Sequence, residues 1–319
     1  MKPRPTFSPF LIFHLSSLIF SLLLPAQGGI TPSKSERIAT LADTRIKESS
    51  GLARSQRHEG IFWTMNDSGG EPCVFAIDLQ GRTRAKVRIQ DAANFDWEDL
   101  ASGLDEQNQP VLYIGDIGDN LHIRPTVQVY RVPEPPISAP GEIVPETISG
   151  PSMHWHLTYP GGPRNAEGLL VHPKTRRLHV MSKAEDGRSV LYAFPATVES
   201  LAEADQGAEN KHKPVLLEKV GEVSFPGHER VGKRPTDDRL CTGAAFSPDG
   251  THLAASTYSS LYEWQLPAGK PTAEALAAKP LRLVPELLRQ LEAITYDADS
   301  RTLWLTSEHL PTPLVRVSR

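Results

Sequence analysis

Apolar and polar residues alternate along this chain in short runs, and five of the runs open alike. Ser-Ser-Gly-Leu-Ala stands at Ser49–Ala53, Trp-Glu-Asp-Leu-Ala at Trp97–Ala101 and Ala-Glu-Gly-Leu-Leu at Ala166–Leu170. Cys-Thr-Gly-Ala-Ala follows at Cys241–Ala245 and Leu-Glu-Ala-Ile-Thr at Leu291–Thr295. Each copy sets an oxygen-bearing residue (Ser50, Glu98, Glu167, Thr242, Glu292) before a small or turn-forming residue and an apolar run. A second run comes after each: Ile61–Met65, Val111–Ile114, Leu178–Met181, His252–Ala255 and Leu303–Leu305. A third follows at Val74–Ile77, Val127–Val132, Val190–Phe194, Leu261–Leu266 and Leu314–Val317. Runs of four to six residues, rich in β-branched and aromatic side chains and divided by turns such as Asn66–Gly70 and Asp297–Asp299, read as strands. Units of several short strands returning at this period predict an all-β, five-bladed β-propeller.

A fourth segment completes the blades as four-stranded antiparallel sheets: Ala85–Gln90, Met153–Tyr159, Leu217–Phe225 and, more weakly, Leu281–Val284. The fifth unit has none before Arg319, while Arg37–Leu41 is a spare strand at the other end. That strand is therefore expected to become the outer strand of the last blade and close the ring, which removes the exposed edges of an open array. Residues 37–319 then form one domain. Short helical turns are expected at Ala273–Ala278, Pro285–Leu291 and Val198–Ala204.

In this register the motif strand is innermost in each blade and starts at one face of the disc, beside the axis. The second strand returns to that face, which places Asp67, Asp116, Asp119, Lys183, Tyr258 and Glu308 around a mouth. Insertions at Pro160–Arg164 and Gly227–Leu240 open on the same face, whereas Ser247–Gly250 is a hairpin turn on the other. Pro133–Pro151 reads as a surface excursion on the way to an outer strand.

The N-terminus changes where the protein is expected to work. Lys2 and Arg4 precede the apolar Phe10–Leu24, and Pro25-Ala26-Gln27 follows, so residues 1–26 read as a secretory signal peptide and 27–36 as a linker. The apolar run, interrupted by His14, Ser16 and Ser17, is short for a stable membrane span. A secreted or periplasmic location follows. Loss of Lys2 and Arg4 makes the formal charge of −4 still more negative, which argues against nucleic acid as a partner. Cys73 and Cys241 fall in units that are not neighbours, so they are expected as buried thiols rather than a disulfide, and no Cys/His metal spacing is present.

Three carboxylates and two hydroxyls around one axis repel unless a cation sits among them, and an all-oxygen set suits Ca²⁺, which takes roughly six to eight oxygens. The alternative is that Glu98, Glu167 and Glu292 cap the shaft through water and backbone amides. Here the chain resembles the soluble calcium-dependent apyrases, secreted five-bladed propellers that hydrolyse nucleoside diphosphates. That family arranges Ser, Glu, Glu, Ser and Glu, one per blade, around a central calcium; this chain has Ser50, Glu98, Glu167, Thr242 and Glu292 in the same order. Ser50-Gly51-Leu52, Glu98-Asp99-Leu100-Ala101 and Glu292-Ala293-Ile294 are similar to its Ser-Asp-Leu, Glu-Trp-Leu-Ala and Glu-Gly-Ile. The likeness spans all five blades but only a few residues in each. Two loops depart from it: Asn66–Gly70 lacks the arginine of Asp-Asp-Arg-Thr-Gly, and Gly115–Asn120 replaces Gly-Gly-Leu-Gly-Lys-Glu with acids. A looser likeness to phytase-like and lactonase-type propellers implies the same architecture with other substrates.

Asp67, Asp116 and Asp119 are candidates for water activation or a second cation; equally, Asp and Asn here are turn formers, with Gly115 and Gly118 supplying positive φ. Arg124, Arg164, Lys183, Lys233 and Arg234 are candidates to clamp an anionic substrate, or else solvated loop charges. No nucleophile elbow or nucleotide-binding glycine loop is present. The expectation is a calcium-dependent hydrolase of a phosphate ester or anhydride. Its alternatives are a non-catalytic propeller that binds a glycan or protein, and a lactonase- or esterase-like hydrolase.

Overall fold

The computed structural model describes Met1 and residues 30–31, 34–142, 144–197, 213–225, 238–270, 272–285, 288 and 290–318. The proposed signal segment, apart from Met1, and the turn expected at Val198–Ala204 lie outside the described residues.

Five sheets form a ring, a five-bladed β-propeller. From the axis outward, the first blade is Ser49–Arg54, Ile61–Asn66, Cys73–Asp78 and Thr83–Arg88. The second is Trp97–Leu104, Pro110–Asp116, Val127–Pro133 and Met153–Thr158. The third is Ala166–Val171, Leu178–Ser182, Arg188–Ala193 and Glu218–Ser224. The fourth is Cys241–Phe246, His252–Thr257, Leu261–Gln265 and Leu281–Leu283. The fifth is Leu291–Tyr296, Leu303–Ser307, Pro313–Ser318 and then Lys34–Thr40. The expected closure is present: Lys34 pairs with Ser318 and Thr40 with Pro313, antiparallel. The strand starts three residues before the expected Arg37, inside the segment read as linker.

Burial explains why the inner strands carry small and apolar residues and the outer ones charge. Ile61–Asn66 and Cys73–Asp78, covered on both faces by neighbouring blades, are buried almost throughout. Glu218–Ser224 and Lys34–Thr40 face solvent along most of their length. The apolar core is accordingly divided into five wedges, each between two successive blades. The wedge that closes the ring joins Ala293, Trp304 and Leu314 of the last blade to Leu52, Phe62 and Ile77 of the first, with the Phe62 and Trp304 rings 4.9 Å apart. Cys73 lies in that wedge and Cys241 in the one between blades three and four, and both are free thiols, as expected.

Three blades gain a fifth strand of two or three residues, added in parallel at the outer edge: Ile30–Thr31 beside Leu281–Leu283, Glu146–Ile148 beside Thr83–Arg88, and Val215–Leu216 beside Met153–Thr158. The Pro-rich excursion thus returns to cover the edge of the preceding blade. A short helix, Thr272–Leu276, occupies the first expected helical position. The turn expected at Pro285–Leu291 is not helical at its described residues, and Leu291 begins a strand.

Removing residues through Thr40 should strip the last blade of its outer strand and expose Pro313–Ser318 as a free edge. The melting temperature should then fall by about 10 °C or more, since each kcal/mol shifts a domain of this size by about 2–4 °C. Unchanged melting would mean that the ring closes without it.

Candidate metal centre at the mouth of the shaft

All five axial residues occupy the same backbone irregularity. Pairing between the first and second strands skips from Ser49 to Gly51, from Trp97 to Asp99, from Ala166 to Gly168, from Cys241 to Gly243 and from Leu291 to Ala293. The residues left out are Ser50, Glu98, Glu167, Thr242 and Glu292. A bulge re-aims a side chain out of the regular alternation, and here it does so once in every blade. All five are at most 4% exposed.

The residue after each bulge lets the strands converge. A Cβ on Gly51 would lie 2.6 Å from the Leu100 nitrogen, one on Gly168 3.0 Å from the Ala244 Cβ, and one on Gly243 2.6 Å from the Glu292 carbonyl oxygen. Asp99 holds this position in blade two, and its buried carboxylate accepts the N–H of Leu100 at 2.7 Å and of Leu169 in the next blade at 2.8 Å. Below the oxygens, Leu52, Leu100, Leu169, Ala244 and Ile294 wall a cavity of about 270 Å³ at the other end of the shaft.

At the mouth, the Ser50 hydroxyl donates to the Glu98 carbonyl oxygen at 2.5 Å, and the Thr242 hydroxyl to Ser256 at 3.0 Å. Lys183 Nζ lies 2.8 Å from Glu167 Oε1 and donates to the Tyr258 hydroxyl at 3.0 Å. Glu292 Oε2 is buried and, among the described residues, accepts no hydrogen bond. Asp67, Asp96 and Glu98 bring one oxygen each to within 4.8 Å of one another. Gly118 caps this group: a Cβ there would fall 2.4 Å from both Asp96 Oδ2 and Glu98 Oε1. Neither Gly115 nor Gly118 has the positive φ expected of it, whereas Gly69 does, at 71°. Gly118 is needed for the space that it leaves.

The charges press on one another. Burial, then the charges of Glu167 and Asp67, push the Glu98 carboxyl well above its ordinary range. Burial and Glu167 do the same to Glu292. Burial first, then Glu167, Asp96 and Glu308, push Asp67 up to about 7 against the pull of the Ser68 N–H. Asp96 and Glu308 are raised as well, each chiefly by burial. Burial opposes the Lys183 ammonium, but Glu167, Tyr258 and Glu292 prevail and hold its pKa above the ordinary lysine value. Among the described residues, the Lys183 ammonium bears on Glu167, Glu292 and Glu308, and Arg124 on Asp96, so the cluster of Asp67, Asp96, Glu98, Glu167, Glu292 and Glu308 is rich in acid. An all-oxygen donor set, the space above Gly118 and the unpartnered Glu292 oxygen fit a hard divalent cation. A second grouping, Glu71, Cys73 and Glu146, does not, because Lys86 Nζ lies 2.7 and 2.6 Å from its carboxylates and Arg88 3.0 Å from both.

The other rim candidates are placed differently. Asp116 is fully buried, 2.9 Å from Arg124 Nη1, and accepts the Asp96 N–H. Asp119 is 3% exposed and accepts the N–H groups of Ile123 and Arg124, so it shapes its own loop. Arg124 also donates to the Gly118 carbonyl at 2.7 Å, and Lys183 points into the shaft; both charges are engaged inside the protein. Arg164 is half-buried and donates to the neighbouring Pro163 carbonyl. Lys233 and Arg234 lie outside the described residues. Asp96 is a site residue that the sequence does not mark: it stands before the strand Trp97–Leu104, and the bulge at Glu98 interrupts the alternation that would relate the two side chains.

Gly118→Ala should force Asp96 and Glu98 apart and destabilise the fold by about 1–3 kcal/mol in thermal or urea melts. Gly150→Ala, where a Cβ meets nothing within 4 Å, should be neutral. In chelator, stability should fall as pH rises from about 4 to about 7. Unfolded Asp67 loses its proton near 3.8 and folded Asp67 keeps it to about 7, so the folded state binds more protons throughout that window. Asp67→Asn should flatten the melting temperature–pH curve there.

Among the described residues no helix is long and apolar enough to cross a membrane. No protein-family model matches the chain, and a search of curated proteins found no match, so the resemblance to the apyrases rests on the motif residues and extends, in the structure, to the five-bladed architecture.

Proposed function

We propose that this chain is an exported, calcium-dependent propeller that hydrolyses a small phosphate ester or anhydride at the mouth of its shaft. The observation that carries this reading is the set of five bulged residues at the heads of the innermost strands, among which a buried Glu292 oxygen has no hydrogen-bond partner among the described residues. The basic start and apolar Phe10–Leu24 support export.

Asp67, Asp96 and Glu98 are the residues that would hold the cation, with Glu167 and Glu292 adding to the field around it. A divalent ion supplies charge to the phosphoryl oxygens and acidifies water. Glu308, half-buried at the rim and accepting a hydrogen bond from Gln290, is the residue we assign to take a proton from water. Lys183 neutralises Glu167 from within and keeps the axial carboxylates from separating. The apolar tier of Leu52, Leu100, Leu169 and Ile294 closes the shaft below and confines the chemistry to one face. A second reading, in which a bound cation is structural and the face captures a glycan or protein, is favoured by the engagement of Arg124 and Lys183 with internal carboxylates.

Calcium at about 100 times its dissociation constant adds about 2.7 kcal/mol of stability, which for a domain of this size raises the melting temperature by about 5–10 °C relative to chelator. Glu98→Gln and Glu292→Gln should abolish most of that rise, whereas Asp249→Asn, in a turn on the opposite face, should keep it. Equal melting in calcium and chelator would remove the cation. A panel of nucleotides, phosphomonoesters and lactones, run with calcium and with chelator, separates hydrolysis from binding alone.

A further inference from the structure

The three most exposed large apolar side chains on one stretch of surface stand beside the carboxylate cluster. Phe95 is 65% exposed, Leu121 77% and Ile123 69%. They wall one cleft of about 570 Å³, whose polar lining includes Asp96 and Asp119. Asp96 belongs to both the cleft and the cation cluster, so the two are continuous. Phe95 precedes Asp96 in the chain, which sets the apolar wall one residue from the carboxylates.

The opposite wall is held in place. Asp119 accepts the Ile123 and Arg124 N–H groups at 2.9 and 3.0 Å, and its own N–H donates to Asn165 Oδ1 at 2.8 Å. Arg124 then locks onto Asp116 and the Gly118 carbonyl. Leu121 and Ile123 are therefore displayed on a braced loop, and contiguous apolar side chains held out in this way mark a binding surface. The volume falls in the range of about 300–1,000 Å³ usual for small-molecule pockets, which favours a small ligand. Polar and apolar walls meeting at Asp96 suit one molecule with an anionic end, which a cation would bridge to the carboxylates, and an apolar body.

We infer that the ligand of this mouth carries an apolar group that lies on Phe95, Leu121 and Ile123, which under the hydrolase reading makes the substrate an aryl or alkyl phosphate ester. The inference rests on that reading for the anionic end alone; the apolar body rests on the cleft. In the reaction, water oxygen bonds to phosphorus while the bond from phosphorus to the ester oxygen breaks. The departing oxygen takes up a proton, giving an apolar alcohol or phenol and inorganic phosphate.

The test compares 1-naphthyl phosphate with methyl phosphate by calorimetry on the calcium-loaded protein, with fluorescence of released naphthol as a second readout. Naphthyl phosphate should bind on the order of tenfold or more tightly, given the apolar area that its rings add. The double variant Leu121→Ser, Ile123→Ser and the single variant Phe95→Ser change exposed side chains, so melting and its calcium response should be kept. They should bring naphthyl affinity toward that of methyl phosphate and leave the latter unchanged. Equal affinities for the two esters in a protein that binds calcium would overturn the apolar site alone, as would a preference that survives both variants. Absence of calcium binding would overturn the cation reading and, with it, the phosphate ester. A naphthyl preference without naphthol release would support the apolar site and remove hydrolysis.

Discussion

The close approach of the five innermost strands around one shaft is the constraint on which the rest depends. Backbones that meet at Gly51 and Gly243 leave no room for a Cβ, one at Gly168 would press on the Cβ atoms of Ala244 and Met181 at 3.0 Å, and the bulge before each small residue takes one oxygen-bearing side chain out of the regular alternation. That packing confines Glu98, Glu167 and Glu292 to a space in which each is nine-tenths buried or more. Charges of like sign held so closely raise one another's proton affinity or demand a counter-charge. Lys183 supplies part of it from the second strand of blade three. Asp99, buried where the other blades have Gly or Ala, compensates for its bulk by binding amides on two blades.

The mouth has a division of labour that residue types alone do not reveal. Acids with similar sequence surroundings take opposite roles: Asp67 and Asp96 face the cluster, whereas Asp116 and Asp119 are consumed by Arg124 and by backbone amides. The distinction is geometric. Asp116 ends a strand and meets a guanidinium folded back from Arg124, and Asp119 sits at the head of the turn whose N–H groups converge on it.

Much of the architecture was legible because it repeats. Five copies of one motif fixed the number of blades, and the charged, half-apolar strand near the N-terminus fitted only the place left empty beside Pro313–Ser318. The axial register was legible through Ser50, Glu98, Glu167, Thr242 and Glu292, but the bulges were not, since each falls at the second residue of its strand, where too little alternation precedes it for a change of phase to show. The parallel edge strands Ile30–Thr31, Glu146–Ile148 and Val215–Leu216 are too short to carry a pattern. Asp96 and Gly118 act through each other across 22 residues of chain, and nothing local to either announces it. The apolar wall of Phe95, Leu121 and Ile123 was invisible for the same reason, because exposure is a property of the fold.

The strand that closes the ring carries a consequence for the order in which the molecule is made. Lys34–Thr40 leaves the ribosome well before its partner, Pro313–Ser318. The wedge between the last and first blades, with Phe62 against Trp304, waits on the same event. No blade-by-blade intermediate can bury both of its sides until Pro313–Ser318 has been made, so the growing chain is held open while its interior is incomplete. Contacts of such long sequence separation fold slowly. Until Pro313–Ser318 is made, the first and last blades each present a bare flank, and those flanks must be kept from pairing with another copy.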